Sequence, residues 1–162
     1  MIFQTMMKPH EIPSQTHAAG MHIGIVLARF NTNIGEGLLK GALRFLREQG
    51  VIDAHVTLVR VPGALEIPLA LQGMAQTGRF HALVALGAVI RGETYHFEIV
   101  SNESARGISE VALDFEMAIG NGVLTCDTDE QALARMDQKG YEAALTAVEM
   151  ANTLESLRKN VE

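Results

Sequence analysis

Residues Ala82 to His96 read Ala-Leu-Val-Ala-Leu-Gly-Ala-Val-Ile-Arg-Gly-Glu-Thr-Tyr-His, an unbroken apolar run that ends in a polar turn. The apolar part, Ala82–Ile90, reads as a strand covered on both faces, because a half-exposed strand would alternate with polar residues. It is about half the roughly 20 residues that a helix needs to cross a bilayer, so no transmembrane segment is expected. A strand buried on both faces requires parallel neighbours and a layer of helices on each side. The flanking sequence supplies both.

Upstream, His22–Ala28 (HIGIVLA) reads as the first strand. Asn33 and Glu36 have the spacing of a capping box, and Leu38, Leu39, Ala42, Leu43, Phe45 and Leu46 then recur at helical spacing until Gly50. Val56–Val61 reads as the second strand and Val61-Pro62-Gly63 as a turn. Leu65–Ala75 reads as a helix with Pro68 in its first turn, where the missing N–H costs little. Downstream, the pattern predicts a helix over Asn102–Ile119, a strand over Gly122–Cys126, and two helices over Thr128–Met136 and Lys139–Arg158. Strands alternating with helices through short turns, with right-handed crossovers, imply an α/β sandwich around a central four-stranded parallel sheet. Regular patterning begins at His22. Residues 1–20 hold Pro9, Pro13, His10 and His17 without a continuous apolar stretch, so they are expected to form a loose N-terminal arm and not a signal peptide, with 21–162 as one domain.

Composition narrows the function. With 162 residues the chain fits a single core. Thirteen Lys+Arg against nineteen Asp+Glu give a formal net charge of −6, which provides no general field for nucleic acid or an anionic membrane surface. An anionic ligand would have to be caught locally, by a few basic side chains and backbone N–H groups. A single cysteine, Cys126, excludes an intrachain disulfide and suits a reducing cytoplasm. There is no P-loop, no G-x-G-x-x-G and no zinc-ligand spacing.

In a parallel α/β sheet, ligands bind outside the carboxyl ends of the strands. The loops to inspect are therefore Arg29–Gly35, Pro62–Glu66, Arg91–Glu98 and Cys126–Glu130. Arg91-Gly92-Glu93-Thr94 offers N–H groups and a hydroxyl suited to a phosphate. His96, at a strand's carboxyl end, suits proton transfer near neutral pH, or it merely caps or packs. The other five histidines read as surface or arm residues. Arg135 suits a phosphate, or it is a solvated helix arginine paired with Glu130 or Asp129. Glu66 suits a polyol, or it favours the positive end of a helix. Phe30 suits stacking on a flat heterocycle, or it is a hydrophobic staple for the following helix. Cys126, on a buried strand, reads as an inert thiol.

Four motifs in order, Ala28-Arg29-Phe30-Asn31, Val61-Pro62-Gly63-Ala64-Leu65-Glu66-Ile67-Pro68, Gly87-Ala88-Val89-Ile90-Arg91-Gly92-Glu93-Thr94-Tyr95-His96 and Gly122-Val123-Leu124-Thr125, resemble the lumazine synthases from about Met21 to Met150. The resemblance implies a flavodoxin-like three-layer sandwich. It also implies the penultimate step of riboflavin biosynthesis, in which 5-amino-6-(D-ribitylamino)uracil and 3,4-dihydroxy-2-butanone 4-phosphate form 6,7-dimethyl-8-ribityllumazine. By the same resemblance Phe30 stacks on the pyrimidine, and Ala64, Leu65 and Glu66 meet the ribityl chain. Ala88, Val89 and Ile90 line the slot for the uracil edge, and Glu93, through its N–H, and Thr94 bind phosphate. His96 transfers protons, and Arg135 holds phosphate in the active site of a neighbouring subunit. Family members often carry an aromatic residue where this chain has Asn121, so one wall of the pyrimidine slot is expected to be polar.

The implied chemistry is Schiff-base formation, phosphate elimination and ring closure, with no redox step, metal or cofactor. The implied assembly is a pentamer with active sites between subunits. Shell-forming relatives have a longer connection between the position of Arg135 and the last helix. Here only Met136-Asp137-Gln138-Lys139 precede Gly140, so pentamers or pairs of pentamers are expected instead of a sixty-subunit shell.

Overall fold

A computed structural model describes residues 7–160. Four parallel strands, β1 (Ile23–Ala28), β2 (Val56–Val61), β3 (Ala82–Ile90) and β4 (Ile119–Cys126), form one sheet in the order β2-β1-β3-β4. Four α-helices connect or follow them: α1 (Thr32–Glu48), α2 (Ile67–Gln76), α3 (His96–Asp114) and α4 (Asp129–Lys159). The sheet is the flavodoxin-like arrangement, and its chain order reverses between β1 and β3.

The quoted apolar run is the central strand, and its alternation explains the sandwich. Ala82, Val84, Leu86 and Ala88 turn to one face and join the core under α1 and α4, with Leu38, Phe45, Leu46 and Val148. Leu83, Ala85 and Val89 turn to the other, with Ile67 and Leu71 of α2 and Ile108 and Val111 of α3. Each large side chain buried in this way contributes roughly 1.5–3 kcal/mol.

The helix α4 approaches its neighbours through small residues. At Gly140 a Cβ would lie 2.7 Å from the Leu38 carbonyl carbon, and at Gly41 it would lie 3.0 Å from the Tyr141 nitrogen. The helices α1 and α4 therefore meet backbone to backbone. Polar groups flank this crossing: Arg44 Nη2 donates to Asp137 Oδ2 at 2.7 Å, and the Tyr141 hydroxyl donates to Glu48 Oε2 at 2.8 Å. That bond raises the Tyr141 pKa.

Several boundaries differ from the sequence reading. Asn33 and Glu36 form no capping box. The N-cap is Asn31, in the left-handed region at φ 60°, and its side-chain amide donates to the Ala88 carbonyl oxygen at 3.0 Å. Glu36 is taken by Arg60. The third helix spans His96–Asp114 and not Asn102–Ile119, because Phe97 and Val100 already pack on the core. A reversal at Glu116, φ 46°, ends that connection, and Ile119 begins the fourth strand three residues before the expected start. The two expected final helices are one continuous α4, so the short Met136–Lys139 connection makes no break.

Of the expected N-terminal arm, residues 1–6 lie outside the described part. Residues 7–18 have no regular structure, yet Ala18 is fully buried, and the buried Asn152 amide of α4 donates to the Gln15 and His17 carbonyls at 3.0 Å each. Three of the histidines read as surface residues meet at the amino-terminal edge of the sheet. His22 stacks on His55 at 4.0 Å between centroids, and its backbone N–H donates to His81 Nδ1 at 2.8 Å.

Candidate active site

Outside the carboxyl ends of β1 and β3, at the switch point of the sheet, lies a cavity of about 460 Å³. Phe30 and Asn31, just past β1, form one wall. Pro62, Gly63 and the 3₁₀ turn Ala64–Glu66, after β2, form a second. Ala88, Val89 and Ile90 supply the floor, and Gly92, Thr94, His96, Phe97 and Val100 close the third side.

The register explains this convergence. Ala28 pairs with Val61 at the end of β1 and β2, and the Arg29 and Phe30 N–H groups continue the ladder to the Val61 and Pro62 carbonyls at 2.8 and 3.2 Å. The segment after β1 is thus held beside the Pro-Gly turn, and Asn31 pins it to Ala88 of β3. Phe30 is 72% exposed, so it is not packed as a staple under α1, and its ring stands free at the cavity rim. The Glu66 carboxylate folds back over Gly63, where a Cβ would meet its Oε2 at 3.2 Å, and it has no ion-pair partner among the described residues.

His96 is the first residue of α3 and not part of a loop. Its backbone N–H faces Thr94 Oγ1 at 3.4 Å, while its ring is exposed toward the cavity and free of hydrogen bonds to described residues. Arg91, at the base of the same turn, donates through Nε to Asp127 Oδ1 at 2.7 Å and through Nη1 to Glu98 Oε1 at 2.5 Å. These bonds raise the Arg91 pKa, and the hydrogen bond from Arg91 holds the Glu98 carboxyl below the usual carboxylate range.

Arg135 lies elsewhere. It projects from α4 into a second, more polar hollow of about 590 Å³ with Thr125, Cys126, Gln131 and Lys139. Its Nη1 donates to the Gln131 carbonyl at 2.9 Å, and neither Glu130 nor Asp129 pairs with it. Cys126 is buried and free.

Most residues singled out from the sequence, namely Phe30, Ala64, Leu65, Glu66, Ala88, Val89, Ile90, Thr94 and His96, therefore line one cavity. Glu93, Asn121 and Arg135 are not among its lining residues. Asn121 is exposed on β4, where its Oδ1 accepts from the Val123 N–H at 2.9 Å. Asn31, Pro62, Gly63, Gly92, Phe97 and Val100 line the cavity too, and of these only Val100 falls outside the loops marked for inspection. Reading α3 from His96 would have found Val100 by its one-turn spacing from the histidine. The described residues hold no cluster of His, Cys, Asp or Glu suited to a metal ion, and no helix among them is long and apolar enough to cross a membrane.

Fold and cavity together define a class: a flavodoxin-like α/β protein with a cavity at the switch point of its sheet and an imidazole on its rim. Residues 20–155 match the sequence model of the 6,7-dimethyl-8-ribityllumazine synthases. Proteins named 6,7-dimethyl-8-ribityllumazine synthase from Ralstonia pickettii and Nitrosospira multiformis are each 58% identical, over 90% and 91% of this chain and 87% and 92% of their own. One of the same name from Paraburkholderia phymatum is 59% identical over 86% of this chain and 81% of its own. The chain belongs to the 6,7-dimethyl-8-ribityllumazine synthase family.

Proposed function

We propose that this chain condenses 5-amino-6-(D-ribitylamino)uracil with 3,4-dihydroxy-2-butanone 4-phosphate to give 6,7-dimethyl-8-ribityllumazine, phosphate and water, as a transferase of riboflavin biosynthesis. The observation that carries this reading is the single cavity bounded by Phe30, Ala64–Glu66, Ala88–Ile90 and His96, joined to membership of the family. The ring of Phe30 stacks on the pyrimidine. Backbone groups at Ala88, Val89 and Ile90 meet the uracil edge, and Glu66 accepts hydrogen bonds from the ribityl hydroxyls. The phosphate of the second substrate rests on the Gly92–Thr94 turn, through the Glu93 N–H and the Thr94 hydroxyl.

Chemistry then asks little of the protein beyond placement and proton movement. The 5-amino group attacks the butanone carbonyl, and loss of water gives a Schiff base. Phosphate leaves, and ring closure with loss of a second water completes the product. His96 moves protons between the reacting amine, the carbonyl oxygen and the leaving group, and holding two substrates together supplies most of the rate enhancement.

Arg135 neutralises phosphate. Its position in a hollow apart from the His96 cavity supports the reading that it serves the cavity of a neighbouring subunit, so the working unit is a ring. The unbroken α4, in which no added connection separates Arg135 from the last turns of the helix, supports pentamers or pairs of pentamers. The test is product formation, followed by absorbance, from the two substrates. Turnover supports the enzyme, whereas binding of the lumazine without turnover would make the chain a carrier and overturn the proposal.

A further inference from the structure

The helix α3 brings His96 and Phe97 to the cavity without an ordinary N-cap: Tyr95 occupies the cap position and its side chain caps nothing. Something else must set the angle at which this helix leaves the sheet. Arg91 is the group in place to do so. Its backbone N–H donates to the Cys126 carbonyl at 2.9 Å, which extends the ladder between β3 and β4 by one residue and anchors its Cα. From that anchor the guanidinium reaches three targets: Glu98 in the first turn of α3, Asp127 just before α4, and the Phe97 ring, whose centroid lies 4.3 Å below Cζ.

Asp127 is itself tied into the start of α4. Its N–H donates to Gln131 Oε1 at 2.8 Å, while Gln131 N–H donates to the capping Thr128 hydroxyl at 3.2 Å. The Gln131 carbonyl in turn accepts from Arg135 at 2.9 Å. A continuous chain of contacts therefore runs from Phe97, next to His96 in α3, through Arg91 to Arg135.

We infer that Arg91 is a positioning residue, which fixes the start of α3 with His96 against the start of α4 with Arg135 without touching substrate. This rests on the roles proposed above for His96 and Arg135. An exposed ion pair adds little to stability, so a network of this kind has small thermodynamic worth and its effect falls on geometry. Geometry is where the reaction is sensitive, since a misplacement of about 1 Å can cost on the order of a hundredfold. Lysine cannot substitute: a planar guanidinium donates along two directions while its face lies on an aromatic ring, whereas an ammonium is a single point charge.

The two arms predict different defects. Glu98→Gln loosens the α3 side and should lower kcat with little change in KM. Asp127→Asn loosens the α4 side and should raise the KM for the butanone phosphate. Arg91→Lys keeps the charge but should do both, with kcat falling about tenfold while the melting temperature moves little. In the His96→Ala background, Arg91→Lys should cause no further fall in kcat, because it acts on kcat through the absent imidazole.

Amide hydrogen exchange gives a readout independent of turnover. In Arg91→Lys, exchange should quicken in segments 94–101 and 127–135 together and stay unchanged in β1 and α1. A normal kcat in Arg91→Lys beside a depressed one in His96→Ala would overturn the inference while leaving the activity standing. If the wild type did not turn over, the functional reading would fail by itself, and unchanged exchange in both segments would still overturn the coupling. An equal fall in kcat with and without His96 would show a general structural role and sink the proposal.

Discussion

Gly140→Ala tests the packing that carries Arg135. The added methyl would stand 2.7 Å from the Leu38 carbonyl carbon and 2.9 Å from its Cα, nearer still to the carbonyl oxygen. Carbon atoms rest at roughly 3.5–4.0 Å, so α1 and α4 must separate by about 1 Å at their crossing. Both partners are backbone inside regular helices, and no side chain can swing aside. A gap of 0.5–1 Å forfeits roughly a quarter to a half of the dispersion between the surfaces it opens. Here those surfaces include Leu38, Ala42 and Phe45 against Ala144, Ala147 and Val148. Overpacking of this kind costs about 1–3 kcal/mol, and the upper end applies where neither side can yield. Replacing a helical glycine by alanine returns about 1 kcal/mol, leaving a net loss of about 2 kcal/mol. For a chain of this length that lowers the melting temperature by about 4–8 °C at fixed protein concentration. Two controls isolate the cause. Gly37→Ala meets only the flexible Met136 side chain and should be nearly neutral, while Gly73→Ala meets nothing within 4 Å and should gain up to about 1 kcal/mol. Thermal melting of the three variants decides. If Gly140→Ala melts at or above the wild-type temperature, as Gly73→Ala should, the backbone contact between α1 and α4 does not exist as described.

His96→Ala should lower turnover by roughly tenfold to a hundredfold with the fold intact, because substrate amines can relay part of the proton traffic; unchanged turnover would remove His96 from the mechanism. Arg135→Ala should cost on the order of 2–4 kcal/mol in kcat/KM for the butanone phosphate, and an effect confined to the pyrimidine substrate would contradict its role. The depressed Glu98 pKa implies that its pairing with Arg91 is complete above the ordinary carboxylate range and is lost as pH falls through the lowered value. On acidification below the ordinary carboxylate range, kcat should therefore drop more steeply in the wild type than in Glu98→Gln, which has already lost the pair. Light scattering should give a mass near five or ten times 17.6 kDa, and a particle of about sixty chains would refute the ring proposal.

The sheet was legible because its determinants are local in sequence. Ala82–Ile90 is apolar at every position, and its nine residues before a polar turn suit a strand buried on both faces better than a helix. The helix boundaries were less legible because tertiary contacts decide them. Asn31 leaves the helical path to bond Ala88, a residue distant in sequence, and no local pattern announces that partner. His96 begins α3 because Phe97 and Val100 find the face of the sheet, although Gly92 and Thr94 just before it read as a continuing loop. Lys139 and Gly140 read as a break between two helices. The glycine is there for another reason: any side chain at this point would collide with α1. A glycine that permits close approach looks, in sequence, the same as one that ends a helix.

That ambiguity bears on how the site is divided. Because α4 runs unbroken past Gly140, Arg135 and the buried Ala143, Ala144, Ala147 and Val148 belong to one helix packed on α1 and β4. Arg135 lines a hollow apart from the His96 cavity of its own chain. If both act on one phosphate-bearing substrate, a second chain must bring them together, so assembly becomes a requirement of the chemistry. On the proposal that a neighbour supplies Arg135, the continuous α4 is what would hold that arginine in a fixed place.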